Sequence, residues 1–171
     1  MGKKNKSKDA TLEEEVKNIN LDDEKLSYEE KLNFVNVISK PMATKSQAKK
    51  LYKLIKKASK EKGFLRTGFK DVQKRLRLGE KGLCVFAGDT SPIDIMCHMP
   101  AVCEDKKIPY CYTPCRDDLG SAMGVKSGSV AILIKPHVSY QELYDEMYEE
   151  LQSLPIPIDI KTEFNMPQGK L

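Results

Sequence analysis

Tryptophan is absent from the sequence, and histidine occurs only twice, at His98 and His137. Few side chains are therefore available for proton transfer near neutral pH. No G-x-S-x-G elbow and no Walker lysine occurs, so a serine hydrolase or a P-loop nucleotidase has no starting point. No apolar run approaches the ~20 residues that cross a bilayer. The first residues carry no apolar stretch of the signal-peptide kind, and no secretory leader is expected. "MGKKNKS" nearly matches an acylation site, but Lys6 stands where Ser or Thr is required. Cysteine is odd in number, at Cys84, Cys97, Cys103, Cys111 and Cys115. Without a leader this indicates reduced thiols. No C-x-x-C pair exists, so a zinc site built on Cys97, His98, Cys103, Cys111 and Cys115 is not expected. The cysteines read instead as small buried hydrophobes. Neither a metal, a cofactor nor a small-molecule substrate is expected, and no membrane partner.

What the chain does have is charge, and the charge is segregated. The net value is only +4. Residues 9–30 hold nine acids and two lysines, while residues 45–81 hold fourteen Lys/Arg and three acids, a local balance of +11. Such asymmetry predicts a basic face for a polyanion, with acidic surface elsewhere. An ordinary solvated helix produces the same composition, so charge alone does not decide.

A length of 171 residues suits one compact domain with tails. Residues 1–30 read as a lysine-rich, then acidic, aromatic-poor tail. Such a segment cannot bury enough surface to order itself, and its removal is expected to leave thermal stability nearly intact. The domain is expected over 31–155, with 156–171 as a C-terminal tail. In "ATKSQAKKLYKLIKKASKEKG", Thr44 and Gln47 make a capping box, Leu51, Leu54, Ile55 and Ala58 form one apolar stripe, and Gly63 ends the helix. "FLRT" reads as a short strand. Gly68 opens a second helix with Val72 and Leu76 inward, closed by Gly79. "GLCVFAG" is a buried strand. "DTSPIDIM" starts a third helix, with Ser91 as N-cap and Pro92 in its first turn, running on through "CHMPAVCEDKK". "IPYCYT" and "SVAILIK" are strands on either side of a short helix, "CRDDLGSAMG". Ser139 and Glu142 cap a last helix with Leu143, Met147 and Leu151 inward. This order predicts an α/β fold, a three-layer α/β/α sandwich around a mixed sheet of about four strands.

"TGFKDVQKRLRLGEKG", residues 67–82, carries the candidate chemistry. Lys70 and Lys74 are four apart and share one helix face near an N-terminus, where anions are favoured. Asp71 sits between them and would repel phosphate. Compensation of the helix dipole is one sufficient reason for it. The functional reason is base recognition, since a carboxylate can accept both hydrogen bonds from the N1–H and N2–H edge of an unpaired or sheared guanine. Looped or bulged RNA offers that edge and duplex does not. Val125 lies between two glycines in "MGVKSG", and Ile95 follows a strand end. Exposed together, they would wall a base that has left its stack. "AGDTSP" could also cradle a phosphate at a helix N-terminus.

The stretch "TGFKDVQKRLRLGEKGLCVFAGDTSPIDIMCHMPAVCEDKKIPYCYTPCRDDLGSAMG" resembles the core of the archaeal and eukaryotic kink-turn RNA-binding ribosomal-type proteins. The likeness covers residues 35–155 and rests on G-x-x-[ED]-x-x-K, AGD…P, H-x-P-x-x-C-E-D, P-Y and D-L-G-x-A-x-G. Within the family, "KLYKLIKKA", "CEDKKIPY" and "LQSLPIP" resemble the members found in H/ACA particles. The resemblance implies a non-catalytic RNA-binding subunit of a nuclear, nucleolar particle. Its implied partners are an H/ACA guide RNA with a kink-turn or related stem-loop, a separate pseudouridine synthase subunit and a small bridging protein. The implied RNA contacts are Gly68, Lys70, Asp71 and Lys74, then Ile95, then Val125 and Lys126. The family's kink-turn specialists carry Asn where this chain has Lys70, and Glu where it has Asp71. Those departures imply weaker motif reading and broader affinity for structured RNA. The rival within the family is the paralogue of box C/D and spliceosomal RNAs, which Lys70 and the charged tail disfavour. Outside that choice, a ribosomal structural protein is a further alternative.

Overall fold

The structure is a computed structural model and describes residues 26–155. In chain order the elements are α1 (Tyr28–Leu32), α2 (Lys45–Ala58), β1 (Leu65–Thr67), α3 (Phe69–Arg77), β2 (Leu83–Ala87), a 3-10 turn (Ile93–Ile95), α4 (Met99–Asp105), β3 (Tyr110–Thr113), α5 (Arg116–Met123), β4 (Ala131–Ile134), a second 3-10 turn (Val138–Tyr140) and α6 (Gln141–Gln152). The strands stand in the order β1-β4-β2-β3. β4 runs antiparallel to both β1 and β2, and β2 runs parallel to β3, so the sheet is mixed.

Side chains alternate across the sheet as a period of two requires. Leu83, Val85, Ala87, Cys111, Ile132 and Ile134 pack toward α2, α5 and α6. Cys84, Phe86, Tyr110, Tyr112, Ala131 and Leu133 pack toward α3 and α4. Helices thus cover both faces, and the α/β/α layering is as expected. α2 has the predicted capping box at Thr44 and Gln47, and it buries Ala48 beside the predicted Leu51, Leu54, Ile55 and Ala58. Cys84, Cys103 and Cys111 are buried, Cys115 is half-buried and Cys97 is exposed. Burial pushes the Cys111 thiol well above its ordinary range.

Three local expectations are corrected. The third helix is not continuous from Ser91. Pro92 is extended (φ −75°, ψ 155°), only a 3-10 turn follows, and α4 begins at Met99. Ile93, Asp94 and Ile95 are all exposed, so no apolar burial supports an α-helix there, while Met96 and Met99 turn inward. Ser139 does not cap the last helix. Its amide donates to Nδ1 of His137 at 3.2 Å, and Tyr140 takes the N-cap position of α6. Of the three residues expected inward on α6, Met147 and Leu151 are buried, whereas Leu143 is half-buried and Tyr144 joins the core instead.

Most of the expected tail over 1–30 lies outside the described residues, as does the segment 156–171. Residues 27–30 do not behave as a tail. Ser27 and Glu30 form a reciprocal capping box on α1. The Tyr28 hydroxyl donates to the carbonyl of Ala43. Lys31 Nζ lies 2.7 Å and 2.8 Å from the two carboxylate oxygens of Asp118 on α5. Composition hid this short helix, because its anchors are a single aromatic and one ion pair. A chain starting at residue 33 is therefore expected to melt several degrees below one starting at residue 26. The difference corresponds to about 1–3 kcal/mol for a partly buried hydroxyl bond, aromatic packing and a half-buried ion pair. Calorimetry on the two truncations checks it.

Candidate nucleic-acid interface

Strand register gathers the candidate residues at one edge of the sheet. Thr67 at the end of β1 pairs with Ile132, Phe86 near the end of β2 pairs with Ala131, and Thr113 at the end of β3 pairs with Ala87. The start of β4 therefore lies beside the exits of the other strands. Gly68 donates its amide to Ala131 at 2.9 Å, and Ala87 donates to Val130 at 2.9 Å. The first turn of α3, the loop after β2 and the loop before β4 meet there.

Gly68 is the N-cap of α3 with φ 89° and ψ 144°, angles that strain any side-chain-bearing residue. A Cβ at Gly68 would meet nothing within 4 Å. The glycine is demanded by backbone angle, and it leaves the first turn of α3 open to an approaching chain. Lys70 and Lys74 are both exposed, one turn apart.

Asp71 is not isolated. Its Oδ1 lies 3.5 Å from Arg75 Nε, one turn further along the helix. Arg75 Nη1 donates to Glu80 Oε1 at 3.1 Å, and Lys135 Nζ lies 2.9 Å from Glu80 Oε2. A chain of alternating charge thus runs from α3 to the end of β4. The Asp71–Arg75 separation is longer than a hydrogen bond. The carboxylate, 41% exposed, keeps acceptor capacity for another donor.

The loop before β4 is set by α5. Gly124 ends that helix, and the Val125 amide donates to Gly120 at 3.0 Å. A Cβ at Gly120 would overlap the Ser127 carbonyl, so the loop lies directly on the helix backbone. Val125 is consequently held outward at 52% exposure, and Lys126 is exposed beside it. Gly68, Phe69, Val125 and Ser127 line one open hollow of about 520 Å³.

Ile95, 40% exposed, sits on the 3-10 turn after β2. Residues outside the expected contact set link the segment after Ile95 to α3. Gln73 Nε2 lies 2.8 Å from His98 Nε2, and the Phe69 and His98 rings meet edge to face at 5.7 Å. These interactions tie the start of α4 to α3. Ile93 adds a further exposed apolar side chain at 39%. The position of Phe69, directly after Gly68, is the one signal visible in the sequence, and nothing in the spacing of Gln73 and His98 announces that they meet. "AGDTSP" does not form a phosphate cradle on a third helix, since no α-helix starts there. Asp89 instead accepts the Arg116 amide at 3.0 Å and 3.2 Å, placing its own negative charge at the N-terminus of α5.

Lys135 above all, with help from Arg75, holds the Glu80 carboxyl below its ordinary value of 4.5. A depressed folded-state value means stability that is fully present above 4.5 and lost as pH falls through the folded value. Glu80→Gln is expected to cost up to about 1 kcal/mol at pH 7, the range of a partly exposed ion pair. The cost should vanish in acid, where wild-type Glu80 is also neutral. Urea denaturation of both proteins across pH checks this.

Comparison with known proteins places the fold in a family. The model of the "Ribosomal protein L7Ae/L30e/S12e/Gadd45 family" matches residues 49–144. The chain is 64% identical over 135 residues to the Drosophila melanogaster protein named H/ACA ribonucleoprotein complex subunit 2, spanning 79% of this chain and 84% of that protein. It is 51% identical over 132 residues to the protein of the same name from Pongo abelii, spanning 77% and 86%. Among solved structures, the Giardia lamblia 15.5kD RNA binding protein superposes with a TM-score of 0.66 at 25% identity, over 71% of this chain and 100% of that one. With a family match across more than half its length and relatives at such identity, the chain belongs to the ribosomal protein L7Ae/L30e/S12e/Gadd45 family.

Proposed function

We propose that this chain is a non-catalytic RNA-binding subunit of an H/ACA ribonucleoprotein, acting in the guided conversion of uridine to pseudouridine in ribosomal and spliceosomal RNA. One observation carries the reading: Gly68, Lys70, Asp71, Lys74, Ile95, Val125 and Lys126 lie on segments that converge on one edge of the sheet. Lys70 and Lys74 would meet phosphates. Gly68 lets the RNA backbone come close. Asp71 accepts from a guanine edge, and Ile95 and Val125 flank a base that has left its stack. Lys126 adds positive charge beside Val125. The synthase chemistry belongs to another chain of the particle, and a small bridging protein holds this subunit in place from the side away from α3. The particle works in the nucleus and nucleolus.

The rival, a protein of box C/D and spliceosomal RNAs, has Lys70 against it, and relatives at 50–64% identity carry H/ACA names. Sequencing the RNA recovered with this chain from cells decides between them. H/ACA guide RNAs support the proposal and box C/D RNAs overturn it.

Two substitutions probe the edge. Lys74→Ala removes one ammonium group from a phosphate, and should lower the log–log slope of affinity against salt by roughly 0.7–0.9. An unchanged slope and affinity in filter binding would put the RNA elsewhere. Asp71→Asn should weaken binding to a kink-turn RNA by about 1–3 kcal/mol, because an amide cannot accept both guanine hydrogen bonds. Binding to a duplex of equal length should barely change. If Asp71 serves only Arg75 and the helix dipole, the same variant loses a few tenths of a kcal/mol in stability and binds RNA slightly better.

A further inference from the structure

The lysines of α2 fall on two faces of the helix. Lys50 lies 2.6 Å from Glu146 and 2.6 Å from Glu150 on α6. Lys57, seven residues on, is on the same side of the helix. Lys49, Lys53 and Lys56 are spaced by four and three residues, which puts them on a second face, and Lys60 follows in the turn past the end of α2. All four are exposed. Among the described residues none of them is in an ion pair. Lys45, four residues before Lys49 on this face, lies 4.0 Å from Glu29, so the unpaired stretch of the face begins at Lys49.

The second row borders a groove between α2 and α5. Tyr52, Lys53 and Lys56 form one wall and Asp118, Ser121 and Ala122 the other, around an open volume of about 410 Å³. Ser121 and Ala122 are small and leave the groove wide. Asp118 is the one acid lining it, and Lys31 holds both its carboxylate oxygens. The charge facing the groove is therefore positive.

The groove also leads somewhere. Past the end of α2, Ser59 and Lys62 line the hollow that contains Gly68, and past Ala122, Met123 and Val125 line the same hollow. Both walls of the groove run on into the walls of the candidate RNA edge. We propose that the α2–α5 groove carries the phosphate backbone of a second RNA segment, contiguous with the one held at the edge of α3. The inference rests on the proposed RNA-binding role of that edge. Recognition here is by charge and shape without base reading, since the row offers ammonium groups and no paired acceptors. Lys49 to Lys56 span ~10 Å along α2, so the groove serves a segment of a few nucleotides.

The test compares two synthetic RNAs, a minimal kink-turn stem-loop and the same RNA with its stem lengthened by about ten base pairs, more than the row's ~10 Å requires. Full-length protein and its Lys53→Ala/Lys56→Ala variant are titrated over a salt series, with melting temperatures measured alongside. For wild type, the longer RNA is expected to bind about tenfold tighter at low salt, with a slope steeper by roughly 1.5 for two neutralised phosphates. The double variant should melt like wild type and fail to show that gain. A variant that keeps the wild-type difference between the two RNAs overturns the proposal. So does a variant that binds both RNAs more weakly by the same factor, which would assign these lysines to the edge itself. Wild type with no gain for the longer RNA also overturns it. If the gain then appears once residues 1–25 are removed, the occupant is the chain's own acidic stretch. Failure of wild type to bind the minimal RNA at all sinks the reading of the α3 edge, a separate result.

Discussion

Ala131–Ile134 of β4 hydrogen-bonds on both sides, to β1 and to β2, and buries every side chain between two helical layers. Its register is fixed by that burial. A slip of one residue would exchange Ile132 and Ile134 with Ala131 and Leu133 between the faces, placing large side chains where small ones pack. The same register fixes what lies beyond the strand ends. Gly68 is bonded to Ala131, and Val130 to Ala87, so the three loops of the edge hang from one buried strand. Loop residues can then be polar, small or exposed without loosening their positions, because the precision comes from the sheet.

The surface is organised by subtraction of charge. α6 carries acids that answer Lys50, Glu80 answers Arg75 and Lys135, and Asp118 answers Lys31. Among the described residues, what is left unanswered, Lys70, Lys74 and Lys126 at the edge and Lys49, Lys53 and Lys56 on α2, lies on connected surfaces. A net charge of +4 gives no hint of this. Local pairing, and not the total, decides where a polyanion would be drawn.

Much of the fold is legible in the sequence because local signals and tertiary packing agree. Thr44 and Gln47 cap α2 as their spacing indicates, the all-buried run Leu83–Ala87 is a strand, and Gly79 follows α3. The region from Ser91 to Met99 departs from its reading because its signals are those of a helix start. A cap-type Ser, a Pro and an Asp stand in the right order, yet no apolar surface covers the first turn. Tertiary burial overrides the local pattern. At the site, Lys70 and Lys74 are legible from periodicity, and Gly68 from its place before a helix. The Asp71–Arg75 pair is equally available in the i, i+4 spacing, but that spacing alone does not say whether two solvated side chains turn toward each other. The bridge from Gln73 to His98 and the outward set of Val125 depend on elements distant in sequence, and no local rule reports those.

The uneven burial of the cysteines has a practical side. Cys84, Cys103 and Cys111 are enclosed and Cys115 is half-covered, while Cys97 stands in solvent two residues after Ile95. Thiol reactivity needs both access and thiolate character. A maleimide dye applied to the native protein therefore has a preferred anchor at the edge of the sheet, already present in the natural sequence. A fluorophore at Cys97 turns the molecule into its own reporter. Energy transfer to labelled RNA would measure approach to this edge without any engineered residue.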